Sequence, residues 1–139
     1  MTSKLDERVG LRLVRILIAD DNPFIRNHLR IRLGNHEGWR ICAEAQNGRE
    51  AVAKASEMKP DVIVLDLSMP VMDGLKAARE LAKSLPHVPV VMYSLYGTPQ
   101  IEGEARALGV RGFLDKAEDL GQLISTIEQL LTEPATPPH

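Results

Sequence analysis

The sequence predicts an α/β domain: an open, five-stranded parallel sheet with helices on both faces. Two observations lead there. Five short runs rich in Val, Ile and Leu alternate with five longer stretches whose apolar residues recur at helical spacing. The first, third and fourth runs are also almost continuously apolar, as strands covered on both faces are; a strand with one wet face alternates instead.

The strands are expected at residues 13–19, 39–45, 61–66, 88–94 and 111–115, the second being the more amphipathic and suited to an edge. The first helix begins after Asn22-Pro23, a capping residue followed by proline in the first turn, and ends near Gly34. The second begins at Asn47, with Glu50 as a partial capping box, and is predicted to bury Ala51, Val52, Ala55 and Met58. In the third, Leu75, Ala78, Ala82 and Leu85 recur on one face before Pro86 stops the helix. The fourth follows Thr98-Pro99 with a thin stripe of Ile101, Ala105 and Leu108, and Gly103 weakens its interior. It is expected to be the least stable element, suited to shifting when a neighbouring site gains charge. The fifth carries the strongest stripe: Leu120, Leu123, Ile124, Ile127, Leu130 and Leu131.

Short connections imply right-handed crossovers, and the usual order for five strands is the flavodoxin-like, doubly wound 2-1-3-4-5. Ligands of such sheets bind outside the carboxyl ends of the first and third strands.

With 139 residues and a net charge of -2, the chain suits one soluble domain and lacks the basic footprint of a nucleic-acid binder. No apolar run approaches the ~18 residues of a membrane span, and the N-terminus lacks the apolar core of a secretion signal; a cytoplasmic location is expected. Cys42 reads as a buried thiol of a reducing compartment, and the four histidines show no metal-ligand spacing. Residues 1–11 read as a flexible arm, 12–132 as the domain, and 133–139 as a Pro-rich tail.

Chemistry gathers at the strand ends. The first runs into Asp20-Asp21, the third into Asp66, the fourth into Ser94 and the fifth into Asp115-Lys116. Parallel neighbours would bring these groups to one edge. Clustered carboxylates repel one another unless a cation sits among them, and oxygen-only ligands suit Mg²⁺. Aspartate is also a competent phosphoryl acceptor, and transfer to it depends on positioning and charge neutralisation.

These residues resemble the receiver domains of two-component response regulators. The matching elements are Asp20-Asp21, the run Asp66-Leu67-Ser68-Met69-Pro70-Val71-Met72-Asp73-Gly74, Ser94, and Gly112-Phe113-Leu114-Asp115-Lys116. The resemblance spans about residues 12 to 132. It implies that Asp66 is the phosphoacceptor and that Mg²⁺ is held by Asp20, Asp21, Asp66 and the backbone carbonyl of Ser68. Lys116 would pair with the phosphoryl group, and Ser94 and Phe113 would be the switch residues. A sensor histidine kinase or histidine phosphotransfer protein is the expected donor, and a downstream effector protein the expected target, with a phosphorylation-dependent homodimer left open. On this reading the chain is a signalling switch that catalyses only its own phosphorylation and dephosphorylation. Its control would pass through the surface of the fourth helix, fifth strand and fifth helix. No output module fits after Leu131, so a stand-alone regulator, a phosphate relay and a piece of a longer regulator all stay open.

Two departures stand out: Ala117 where the family often has proline, and the large Leu95 after the switch hydroxyl, expected to narrow access to Asp66. The wide apolar arc of the first helix, with Phe24, His28 and Ile31 beside Arg26 and Arg30, is expected to contact the donor. A phosphohydrolase would place a second acid where Ser68 stands, and a flavodoxin-like binding module would need a phosphate-cradling loop where Asp20-Asp21-Asn22-Pro23 stands.

Overall fold

The computed structural model describes residues 13–132, so the expected terminal arm and tail lie outside the described residues. Its strands are β1 (Val14–Ala19), β2 (Trp39–Ala45), β3 (Val62–Leu65), β4 (Val90–Ser94) and β5 (Gly112–Asp115). They pair in parallel in the predicted order, β2-β1-β3-β4-β5. Each strand but β2 is one or two residues shorter than expected, mostly at its N-terminal end.

The helices are α1 (Pro23–Gly34), α2 (Gly48–Met58), α3 (Gly74–Ser84), α4 (Pro99–Ala107) and α5 (Leu120–Thr132). The first four begin where a side chain replaces the missing backbone acceptor. Asn22 accepts from the N–H groups of Phe24 and Ile25, Asn47 from Glu50, Asp73 from Lys76, and Thr98 from Ile101. Glu50 reaches back to the N–H of Gln46 at 3.0 Å, one residue before the cap itself.

Alternating strand side chains sort the core into two layers. Ile16 and Ile18 of β1 pack with Leu29 and Leu33 of α1 and Leu123 and Ile127 of α5. Leu17 and Ala19 point the other way, toward Ala51 and Ala55 of α2, Ala77 and Leu81 of α3 and Ala105 of α4. The sheet is therefore covered on both faces, and each fully buried leucine or isoleucine stabilises the fold by roughly 1.5–3 kcal/mol.

Four side chains depart from expectation. Ala82 is exposed, because Ala77, Ala78 and Leu81 turn the buried stripe of α3 one residue back. Met58 and Val52 are only half-buried. Cys42 is half-buried too: Ile16 pairs with Ile41 and Leu17 with Ala43, so Cys42 is the extra residue of a bulge in β2. Burial still pushes its thiol above the usual range, which suits an unreactive group. In α4 only Ala105 is buried, and Gly103 faces open space, so the thin packing expected of this helix is present.

The loop after β3 is held by two close approaches. The N–H of Gly48 donates to the carbonyl of Met72 at 2.8 Å, and that of Gly74 to the carbonyl of Leu67 at 2.8 Å. A Cβ at Gly48 would lie 2.3 Å from the Met72 carbonyl oxygen, and one at Gly74 would lie 2.2 Å from that of Asp66. Only glycine lets this loop seat against the starts of α2 and α3. Among the described residues no helix is long and apolar enough to cross a membrane.

Candidate functional site

Backbone bonds carry the sheet past its strand ends and so fix three side chains. The N–H of Asp20 donates to Ala45 at 3.0 Å, that of Asp66 to Ala19 at 2.9 Å, and that of Lys116 to Ser94 at 3.1 Å. Asp20 (2% exposed), Asp66 (5%) and Ser94 (1%) are the buried polar residues of the described core. Asp21 remains exposed beside them. Carboxylate oxygens of Asp20, Asp21 and Asp66 lie within 4.8 Å of one another.

One ammonium answers two of those acids. Lys116 Nζ is 2.5 Å from Asp20 Oδ2 and 3.3 Å from Asp66 Oδ2. The other oxygen of Asp20 accepts from the N–H of Asn22 at 2.9 Å, and the Asp20 carbonyl accepts from Arg26 Nη1 at 2.7 Å. Burial, and then the neighbouring charge of Asp20, push the Asp66 carboxyl above its ordinary 3.8, while Lys116 and Ser94 pull the other way. For Lys116, burial disfavours the charge, but the hydrogen bond and charge of Asp20, followed by those of Asp66, outweigh it and raise the ammonium above 10.5.

A hollow of about 330 Å³ opens over the cluster, lined by Asp20, Asp21, Asp66, Ser68 and Lys116 together with Ile25, Leu95 and Tyr96. The donor set is hard oxygen, acidic and open to water, which fits a small divalent cation such as Mg²⁺. The structure thus brings together Asp20, Asp21, Asp66, Ser68, Ser94 and Lys116. Phe113 stands apart, its ring pressed on Gly97: a Cβ there would lie 2.3 Å from Phe113 Cε1. Beside that ring a second hollow of about 210 Å³ opens against Ser94, Thr98 and Glu102. The Lys116–Ala117 peptide is trans, and the Ala117 N–H donates to Asp115 Oδ1 at 2.8 Å.

Sequence reasoning missed Ile25 and Tyr96 in the lining and the glycine contacts at 48, 74 and 97. Beside the apolar arc of α1, Arg26 is largely enclosed between the Asp20 carbonyl and Glu44, 3.6 Å away, and the half-exposed Arg30 reaches Glu44 and Asn27. Their charges fasten α1 to β1 and β2.

The sequence profile of the response regulator receiver domain matches residues 16–128. The chain belongs to this family. The receiver is 33% identical over 116 residues to the chemotaxis protein CheY of Thermotoga maritima, covering 84% of the chain and 96% of that protein. It is 40% identical over 114 residues to a protein-glutamate methylesterase/protein-glutamine glutaminase of Methanosarcina mazei, covering 78% of the chain but 31% of the relative. The chain therefore spans about a third of such methylesterases. Among solved structures, the response regulator domain of Thermotoga maritima CheB superposes with a TM-score of 0.81 at 31% identity, covering 88% of the receiver and 100% of that chain. The crystal structure of the CheX-CheY-BeF3-Mg²⁺ complex from Borrelia burgdorferi gives 0.83 at 25% identity, covering 91% of the receiver and 95% of that chain.

Proposed function

We propose that the receiver accepts a phosphoryl group on Asp66 from a histidine kinase or histidine phosphotransfer protein in a Mg²⁺-dependent reaction, and so switches a partner protein. One observation carries this reading: a buried carboxylate shares a single ammonium with a second acid, within 4.8 Å of two acids in all. An Asp66 oxygen attacks phosphorus, the P–N bond to the donor imidazole breaks, and the imidazole keeps its electron pair. Asp20, Asp21, Asp66 and the Ser68 carbonyl would hold Mg²⁺, which when bound supplies positive charge to the transferring oxygens. Lys116 leaves its bridge to meet a second oxygen, and the Ser94 hydroxyl meets a third. Phosphorylation adds charge at the sheet edge, draws Ser94 inward and moves Phe113 into the space beside α4. The changed surface is that of α4, β5 and α5, and the thin packing of α4 leaves it free to respond. A downstream effector would read this surface, and a second copy of the chain is a further candidate. The setting proposed is the cytoplasm, without direct nucleic-acid binding, membrane contact or turnover of other substrates by this domain.

Incubation with phosphoramidate and Mg²⁺ followed by intact mass is the direct test. Wild type is expected to gain one phosphoryl mass and Asp66→Asn none; an equal gain by both would refute the assignment. Leu95, 53% exposed at the rim of the hollow, is expected to screen the acyl phosphate from water. Leu95→Ala should lose its phosphoryl group several-fold faster in a decay assay, and an unchanged rate would remove that role.

A further inference from the structure

Asp21 is the odd member of the acidic trio. Asp20 and Asp66 are buried and share the Lys116 ammonium. Asp21 is exposed, and among the described residues its carboxylate has no hydrogen bond or ion pair. A side chain without contacts is aimed only by its backbone. Both peptide units that flank Asp21 are held, each by a side chain. The N–H of the Asp21–Asn22 unit donates to Asp20 Oδ1 at 2.9 Å, and the carbonyl of the Asp20–Asp21 unit accepts from Arg26 Nη1 at 2.7 Å.

The second of these bonds has no backbone substitute. Asp20 lies beyond the last ladder pair of β1 and before the start of α1, and no described backbone N–H reaches its carbonyl. Arg26 can reach it because helical side chains lean toward the N-terminus, so a residue in the first turn of α1 points back over the loop that leads in. Its side chain is 16% exposed, and Nε lies 3.6 Å from Glu44 Oε1 on β2. That pairing matters beside a cation site. A lone guanidinium there would repel Mg²⁺, whereas with Glu44 next to it the hydrogen bond arrives with little net charge. Glu44 is fixed in turn, since its carboxylate accepts from Arg30 Nη1 at 3.4 Å and its carbonyl from Lys54 Nζ at 2.5 Å.

We propose that Arg26 is a positioning residue for the metal: by pinning the Asp20 carbonyl it fixes the peptide that carries Asp21, and so presents that exposed carboxylate to Mg²⁺. The inference rests on Asp20 and Asp21 being metal ligands, and it gives Arg26 no contact with the ion. Charge alone would act in the opposite direction, because removing a positive side chain near a cation site tightens cation binding. The sign of the change therefore separates positioning from electrostatics.

Mg²⁺ titration followed through the amide resonance of Ser68 measures affinity without any phosphoryl transfer, and urea denaturation of each metal-free protein measures stability. Arg26→Met keeps much of the length and loses the donor. Arg26→Gln stays polar, but its amide falls short of the carbonyl. Both are expected to bind Mg²⁺ about tenfold more weakly than wild type, the low end for a group that orients a metal ligand. Arg26→Lys, which retains a charged donor, should stay within about threefold of wild type. Wild-type or tighter Mg²⁺ binding by Arg26→Met and Arg26→Gln would overturn the positioning role, whatever their stability, and so would an equal loss in Arg26→Lys. Asp21→Asn tests the site itself. It should weaken Mg²⁺ binding more than any Arg26 variant, and wild-type binding there would overturn the ligand assignment instead, a separate result.

Discussion

Lys116→Met is expected to destabilise the metal-free receiver by about 3 kcal/mol at neutral pH and to block phosphoryl acceptance, the largest paired effect foreseen for one side chain. The ammonium is 9% exposed and bridges Asp20 and Asp66, themselves almost fully buried, so its removal leaves two facing carboxylates without a counter-charge. The pH dependence follows from the signs. Lys116 is raised in the folded state, so its contribution is whole below 10.5 and is lost as pH climbs through the higher folded value. Asp66 is also raised, which for an acid means the folded state binds more protons than the unfolded one above 3.8; its penalty grows as pH rises past that value. Removing Lys116 deepens the second effect and abolishes the first. Urea denaturation should therefore show the deficit shrinking in acid, and added Mg²⁺ should restore stability in part without restoring phosphorylation. A deficit that ignores both pH and Mg²⁺ would mean that Lys116 acts through packing alone.

Gly74→Ala is the second large effect. Its added methyl would lie 2.2 Å from the Asp66 carbonyl oxygen and 2.8 Å from the Leu67 Cα, both backbone atoms that cannot rotate away. A cost of about 3 kcal/mol is expected, and because the clash falls on Asp66 itself, phosphoramidate should label the variant more slowly than wild type. Gly103→Ala supplies the contrast: nothing lies within 4 Å of the new methyl, and a gain of up to about 1 kcal/mol is expected from helix propensity. Thermal melts of the two side by side decide the point, and similar melting temperatures would contradict it.

The strand order and most of the acidic site could be read from the chain because local signals carried them. Near-continuous apolar runs marked buried strands, and Asn22-Pro23 and Thr98-Pro99 marked helix starts. The parallel topology then brought Asp20, Asp66, Ser94 and Lys116 to one edge. What the pattern missed depends on contacts between distant segments. Nothing near Gly48 announces the carbonyl of Met72, and nothing near Gly97 announces the ring of Phe113. Nor does the spacing of α1 announce that Arg26 reaches the Asp20 carbonyl at the end of β1. Ala82 failed for a different reason: with several alanines on α3, apolar spacing cannot say which edge of the stripe faces inward, and Leu81 decided it.

The bulge at Cys42 has a consequence for how molecules of this protein meet. β2 ends the sheet on one side, and an open parallel edge invites another polypeptide to extend it. The extra residue bends and over-twists that border, while the exposed Arg40 sets a charge along it. Fibril-like stacking through this flank is thereby discouraged, so crowded solutions of the receiver should stay clear of edge-to-edge polymer.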